Sequence, residues 1–149
     1  MKVAVLMGSA NDRPKMAPAL EILEEFGIEA TEHVLSAHRT PAAVTALVRS
    51  GREDGYAAFI CGAGMAAHLA GAVAAQTTLP VVGVPLSGGA LNGVDALYST
   101  VQMPRGVPVA TVAVDGAANA AILVVEMLAI ADATLVAKLD EFRSRWSPA

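Results

Sequence analysis

The segment Ser36–Pro41 brings a serine, a histidine and an arginine together in one short stretch. Arginine offers a planar fork of donors that suits phosphate or carboxylate groups, and the hydroxyl of Ser36 adds another donor. Histidine gains and loses a proton near neutral pH, so His38 can act as a general acid or base. The alternative is a surface histidine beside an Arg39 that pairs with a carboxylate. We favour the functional interpretation, because binding and catalytic residues concentrate in loops.

Two further loops of small residues can hold an anion. Gly8–Asp12 joins an apolar run to a helical pattern, and free backbone N–H groups at the start of a helix attract negative charge. Here Ser9 can donate its hydroxyl and Asp12 can accept from a sugar hydroxyl, although simple capping of the helix explains this loop equally well. In Gly62–Leu69 the glycines let the backbone approach a ligand closely. This loop contains His68, which is equally consistent with a core histidine.

The remaining loops and side chains give weaker evidence for a functional site. The loop Pro85–Gly93 is flexible enough to close over a ligand, and Arg105 lies in a rigid turn where it can bind an anion. We interpret His33 as structural and Cys61 as a small buried residue that ends a strand. The histidines are isolated from cysteine and from any carboxylate pair, so no grouping has metal-ligand spacing. Phosphate recognition with one central histidine indicates acid–base chemistry on a phosphorylated small molecule.

The loops lie between apolar runs and helical patterns that alternate along the chain, so the strands and helices predicted from them must position the loops. The predicted strands are short, rich in valine and bounded by turn residues: Val3–Met7, Ala30–Leu35, Tyr56–Cys61, Val81–Val84 and Val109–Val114. The predicted helices lie between and after them: Pro14–Phe26, Thr40–Arg49 with Thr40 as N-cap, Ala66–Gln76, Val94–Val101, Ala117–Ala131 and Ala133–Trp146. This order predicts a parallel, doubly wound α/β sheet covered by helices on both faces. Ligands bind such sheets beyond the carboxyl ends of the strands, where the loops above lie.

The composition restricts partners and location. The chain of 149 residues fits one domain; it is 54% hydrophobic but only 16% charged, which favours burial of surface in a homo-oligomer. A simple excess of alanine from a GC-rich coding background is the alternative. A net charge of −4 without a basic run argues against a nucleic-acid partner. Val3–Met7 is too short for a signal peptide, and Ala117–Ala131 is too short and too polar for a membrane span. We therefore expect a cytoplasmic protein.

Several motifs together resemble the N5-carboxyaminoimidazole ribonucleotide mutase family of purine biosynthesis (class I PurE), in order along essentially the whole chain. They are Val5–Ser9 with Asp12, Ser36–Pro41, Gly62–Gly64, Ala66–Leu69, Leu79–Val81, Gly83–Pro85, Gly93–Asp95, Val101–Val109 and Asn119–Ala121. The resemblance implies a three-layer flavodoxin-like fold over residues 1–149 and a homo-octamer with active sites at subunit contacts. In that assembly the C-terminal helix 133–146 packs on another subunit. No metal or organic cofactor is implied.

The family's reaction moves a carboxyl group from the exocyclic amino nitrogen of an imidazole ribonucleotide to an adjacent ring carbon. The resemblance assigns His38 as the general acid and base. It assigns two sets of substrate-binding residues: Ser9, Asp12, Ser36 and Arg39 for the ribose phosphate, and Gly64, Ala66, His68 and Leu69 for the imidazole and carbon dioxide pocket.

Two alternatives stay open at this point. One is an aminoimidazole ribonucleotide carboxylase of the same family, which typically has lysine in place of Arg39 and a different loop in place of Gly62–His68. The other is a flavodoxin-like module that binds a nucleotide without chemistry. Such a module has no use for the titrating group of His38.

The chain also departs from the family pattern at a few positions. Met65 and Ala70 replace a usual glycine and a usual proline, Asn11 replaces a frequent serine, and the connection Val114–Ala117 is shorter. If the backbone at position 65 has a positive φ, we expect Met65 to strain the loop or to intrude on the pocket.

Overall fold

The computed structural model describes residues 1–146, which form five strands and six α-helices. The strands are β1 Lys2–Met7, β2 Glu29–Val34, β3 Tyr56–Gly64, β4 Val81–Leu86 and β5 Ala110–Thr111. The helices are α1 Arg13–Glu25, α2 Pro41–Ser50, α3 Leu69–Ala74, α4 Val94–Val101, α5 Ala117–Ala129 and α6 Ala133–Ser144, with a 3-10 turn at Ala10–Asp12 before α1. The order of elements follows the prediction from the sequence.

All strands pair in parallel in the order β2-β1-β3-β4-β5. This is the flavodoxin-like order, whose switch point lies between β1 and β3. The two central strands are apolar along nearly their whole length, because each is covered on both faces. The carboxyl ends of β1 and β3 lie side by side, since Met7 pairs with Gly62. The loops after these two strands therefore open onto the same edge of the sheet.

Helices cover both faces of the sheet and bury two separate apolar cores. One core contains Leu23 of α1, Val124 of α5 and Leu139 of α6 against the sheet. The other contains Val48 of α2 and Val73 of α3 against the opposite face. The three-layer α/β architecture predicted from the sequence is confirmed.

Three element bounds differ from the prediction by more than two residues. Strand β3 runs on to Gly64, because Gly62–Gly64 pair with β4 and the ladder overrides the low strand propensity of glycine. Helix α3 consequently starts at Leu69 rather than at residue 66. Strand β5 is only Ala110–Thr111, an edge strand paired through two residues of β4.

The last helix packs on its own chain. Leu135, Leu139 and Phe142 of α6 are buried in the core shared with α1 and α5. The rings of Phe142 and Phe26 lie 5.4 Å apart between centroids, and Lys138 Nζ donates to the carbonyl of Phe26 at 2.7 Å. A contact of this helix with another subunit stays a prediction for its outer face, while residues 147–149 lie outside the described part.

Within residues 1–146, no helix has both the length and the apolar character needed to cross a membrane. The apolar stretch flagged in the sequence forms α5, which spans 13 residues.

Candidate functional site

A pocket of about 480 Å³ lies beyond the carboxyl ends of the central strands, which is within the usual size of a small-molecule site. All nine site residues named from the sequence line it: Ser9, Asp12, Ser36, His38, Arg39, Gly64, Ala66, His68 and Leu69. The pocket also takes in the loop after β4 through Ser87, Gly88 and Gly89. The sheet topology thus brings together four loops that are far apart in the sequence.

The segment Ser36–Pro41 forms a closed turn between β2 and α2. The backbone N–H of Ser36 donates to Thr40 Oγ1 at 2.9 Å, and the N–H of Arg39 donates to Ser36 Oγ at 3.2 Å. Thr40 occupies the N-cap position as predicted, but its hydroxyl serves this turn and makes no capping hydrogen bond to the helix. Because Pro41 starts the helix with its φ already fixed, the turn is rigid and holds the exposed ring of His38 in the pocket.

His38 faces a second histidine. The ring centroids of His38 and His68 lie 5.3 Å apart with the rings tilted by 40°. His68 is exposed at the N-cap position of α3, so it is not a core histidine. The two imidazole rings therefore face each other within one pocket.

The opposite end of the pocket is polar. Ser9 Oγ accepts from the backbone N–H of Asn11 at 3.2 Å and so caps the 3-10 turn, whereas Asp12 makes no side-chain capping bond to α1. Burial raises the pKa of the Asp12 carboxyl, while the backbone of Ser9 and the positive charges of Lys15 and Arg39 oppose that shift. Arg39 Nη2 donates to the carbonyl of Gly8 at 2.6 Å. Arg39 is thereby fixed between the two loops that follow β1 and β2.

Ser87, which lines the pocket in the loop after β4, is hydrogen-bonded to Lys15 and Asp115. The sequence analysis selected neither of these two residues. Lys15 Nζ donates to Ser87 O and Ser87 Oγ at 2.5 Å each and lies 3.5 Å from Asp115 Oδ1. Asp115 accepts from the Ser87 N–H at 2.8 Å and from the Ser87 hydroxyl. Burial raises the pKa of Asp115, but the Ser87 hydrogen bonds and the charge of Lys15 outweigh it and hold that pKa below its ordinary value. The sequence analysis singled out the loop Pro85–Gly93, which contains Ser87, and the short connection Val114–Ala117, which contains Asp115, but no sequence signal pointed to Lys15.

Met65 meets the condition on which the sequence analysis made its expectation depend. Its φ is 53°, and its side chain lines the pocket. The other conspicuous departure, Ala70, is buried in the second core and lies outside the pocket lining.

His33 and Cys61, which we interpreted as structural, lie outside the pocket lining. His33 Nε2 hydrogen-bonds to Thr31 Oγ1 at 2.9 Å and to Tyr56 Oη at 3.2 Å. Cys61 is buried in β3, and burial raises the pKa of its thiol. Arg105 does not line the pocket. Among the described residues, no cluster of His, Cys, Asp and Glu has the arrangement of a metal site.

The family model for AIR carboxylase matches residues 2–148 of the chain. The chain belongs to this family. It is 52% identical over 144 residues to the N5-carboxyaminoimidazole ribonucleotide mutase of Mycobacterium tuberculosis, a match that covers 97% of this chain and 83% of that protein. It is 49% identical over 140 residues to the phosphoribosylaminoimidazole carboxylase of Saccharomyces cerevisiae, where the match covers 94% of this chain but only 24% of the yeast protein.

A solved structure of the same shape is the PurE crystal structure from Treponema denticola. The TM-score is 0.88 at 26% identity, over 97% of this chain and 90% of that chain. The family assignment and the flavodoxin-like fold expected from the motifs are therefore confirmed.

Proposed function

We propose that this chain converts N5-carboxyaminoimidazole ribonucleotide to 4-carboxy-5-aminoimidazole ribonucleotide in de novo purine biosynthesis. The observation that carries the proposal is the convergence of the nine site residues on one pocket. The similarity to the mutase from M. tuberculosis, at 52% identity over 97% of this chain, supports the same reaction. The protein is then an isomerase that moves a carboxyl group within one substrate.

His38 is the group that moves protons. In its imidazolium form it gives a proton to the exocyclic nitrogen as the N–C bond to the carboxyl group breaks, and the bonding electrons stay on nitrogen. The products of this step are carbon dioxide and the free amine. The adjacent ring carbon then uses its π electrons to form a bond to carbon dioxide, and neutral His38 removes the proton from that carbon. The histidine ends the cycle protonated, as it began, which requires a group that titrates near neutral pH.

The two ends of the pocket suit the two ends of such a substrate. Ser9, Ser36 and Arg39 bind the phosphate, and Asp12 accepts from a ribose hydroxyl. Gly64, Ala66, His68 and Leu69 enclose the imidazole ring. The position of Arg39 supports this division, because its hydrogen bond to Gly8 places the guanidinium beside the loop that opens toward the N-terminus of α1.

A carboxylase acting on aminoimidazole ribonucleotide is the second candidate, since the yeast relative carries that name. The chain spans about a quarter of the yeast protein, so that name describes a much longer polypeptide. Arg39, in place of the lysine typical of family carboxylases, favours the mutase reaction. A non-catalytic nucleotide-binding module does not account for a paired His38 and His68 in the pocket.

We further propose that the protein works as a cytoplasmic homo-octamer. Helix α4 and the loop before it expose a row of large apolar side chains at helical spacing: Leu91, Val94, Tyr98 and Val101. Exposed apolar surface of this kind is typical of subunit contacts. Sedimentation equilibrium tests the assembly: a solution mass of eight chains is expected, and a monomer at micromolar concentration would contradict it.

The reaction itself is tested with purified protein and two substrates. Conversion of N5-carboxyaminoimidazole ribonucleotide to the carbon-linked isomer, without added bicarbonate, is expected. Aminoimidazole ribonucleotide with bicarbonate is expected to react far more slowly. A folded protein that uses only the second pair is a carboxylase, and one that binds the first substrate without converting it is a binding module.

A further inference from the structure

Met65 is a strained residue in an unusual place. Its φ of 53° lies in the left-handed region, which costs a residue with a side chain about 1–2 kcal/mol. The residue is apolar but 60% exposed, and it lines the pocket. Burial in a core does not explain this conformation. Backbone strain of this kind concentrates at functional sites, where it holds a side chain in a particular position.

The side chain of Met65 reaches across to the loop after β4. A methyl group added at Gly89 would stand 3.2 Å from Met65 Cγ and 3.4 Å from Met65 Sδ, so the thioether lies directly over the Gly89 backbone. Both residues line the pocket, one from the loop after β3 and the other from the loop after β4. The contact exists because position 89 has no side chain. It joins two walls of the site.

The loop that Met65 touches is anchored at Ser87. Ser87, two residues before Gly89, has its N–H, hydroxyl and carbonyl all engaged by Lys15 and Asp115. Met65 itself is unbranched, has three rotatable side-chain bonds and is exposed to solvent. One side of the contact therefore lies two residues after an anchored position, and the other is a side chain able to rotate away.

We propose that Met65 covers the mouth of the pocket against Gly89 and keeps released carbon dioxide inside until the ring carbon recaptures it. This inference rests on the proposed mutase function, in which free carbon dioxide forms between the two bond changes. Carbon dioxide is small and uncharged, so hydrogen bonds hold it weakly and a physical barrier is needed. The apolar thioether provides that barrier, and its rotation admits substrate and releases product.

The test measures exchange of the transferred carbon with solvent. The enzyme converts unlabelled N5-carboxyaminoimidazole ribonucleotide in buffer containing ¹³C-labelled bicarbonate and carbon dioxide, and mass spectrometry gives the labelled fraction of early product. Met65→Ala removes the cover and keeps the rest of the loop. We expect the labelled fraction, and the aminoimidazole ribonucleotide lost per turnover, to rise at least about threefold over the wild-type protein.

Two variants serve as controls. Met65→Leu restores an apolar side chain of similar volume and is expected to return the labelled fraction close to the wild-type value. Asn92→Ala truncates another residue of positive φ, 47°, in the loop after Gly89 but outside the pocket lining, and is expected to leave the label at the wild-type value.

Four results would overturn the proposal. An unchanged labelled fraction in Met65→Ala, with conversion intact, removes the retention role and leaves the mutase function standing. Equal label in Asn92→Ala and Met65→Ala assigns the effect to loop stiffness instead. Faster conversion by Met65→Ala without extra label means that the side chain merely obstructs the site. Absence of conversion by the wild-type protein defeats the mutase function and the retention role together.

Discussion

Replacing Arg39 by alanine tests the proposed phosphate end of the pocket. The guanidinium carries five N–H donors. Among residues 1–146, the side-chain hydrogen bond found for Arg39 goes to the carbonyl of Gly8. The other donors are therefore available to a phosphate oxygen. We expect Arg39→Ala to weaken binding of phosphorylated ligands and to leave binding of unphosphorylated ligands nearly unchanged.

The size of the effect follows from the exposure of the side chain. A hydrogen bond to a charged group contributes about 1.5–3 kcal/mol. Arg39 is exposed, so water screens its charge and we expect the lower limit. A loss of about 1.5 kcal/mol corresponds to a rise in Kd of roughly 13-fold.

A thermodynamic cycle isolates this contribution. Calorimetry gives Kd for aminoimidazole ribonucleotide and for the ribonucleoside without its phosphate, each with the wild-type protein and with Arg39→Ala. We expect Arg39→Ala to raise Kd for the ribonucleotide alone. The matched control is Arg49→Ala, because Arg49 is an exposed arginine of α2 outside the pocket. Equal losses for both ligands would refute the reasoning, because they would mean that Arg39 supports the loop through Gly8 and does not bind phosphate.

Three other substitutions give distinct outcomes. His38→Asn is expected to lower kcat by about 10²–10⁴-fold with little change in substrate Kd, and steady-state kinetics showing unchanged turnover would exclude His38 as the proton-transfer group. Gly83→Ala places a methyl group 2.3 Å from Thr100 Cγ2 and should lower the free energy of unfolding in urea by about 1–3 kcal/mol, whereas Gly8→Ala, with no atom within 4 Å, should not. Asp12→Asn should stabilise the fold at neutral pH, because burial raises the pKa of that carboxyl and the charged form is disfavoured. Thermal melts should show this gain shrinking as the pH falls and vanishing well below 3.8, where the carboxyl is protonated in both the folded and the unfolded chain; an undiminished gain there would contradict this cause.

The sequence by itself determined the order of the elements and the location of the site. Apolar valine-rich runs, turn residues and helical periodicity are local signals, so they predict a parallel sheet and the ends of its strands. The turn of Ser36–Pro41 is also local, since its hydrogen bonds join residues three or four positions apart. Because parallel strands end at one edge, the loops carrying Ser9, His38 and His68 were expected to meet there.

Tertiary structure decided the contacts between those loops. Ser87 lies 72 residues from Lys15 and 28 from Asp115, and no periodicity or spacing in the chain relates them. The extension of β3 through Gly64 depends on the register with β4, which also sets how far the following loop reaches. The sequence raised the question of a positive φ at Met65, but its contact with Gly89 depends on the crossover from β3 to β4 and on the pairing of those two strands. Such contacts are set by strand register and by packing across the sheet, so the local pattern of residues does not predict them.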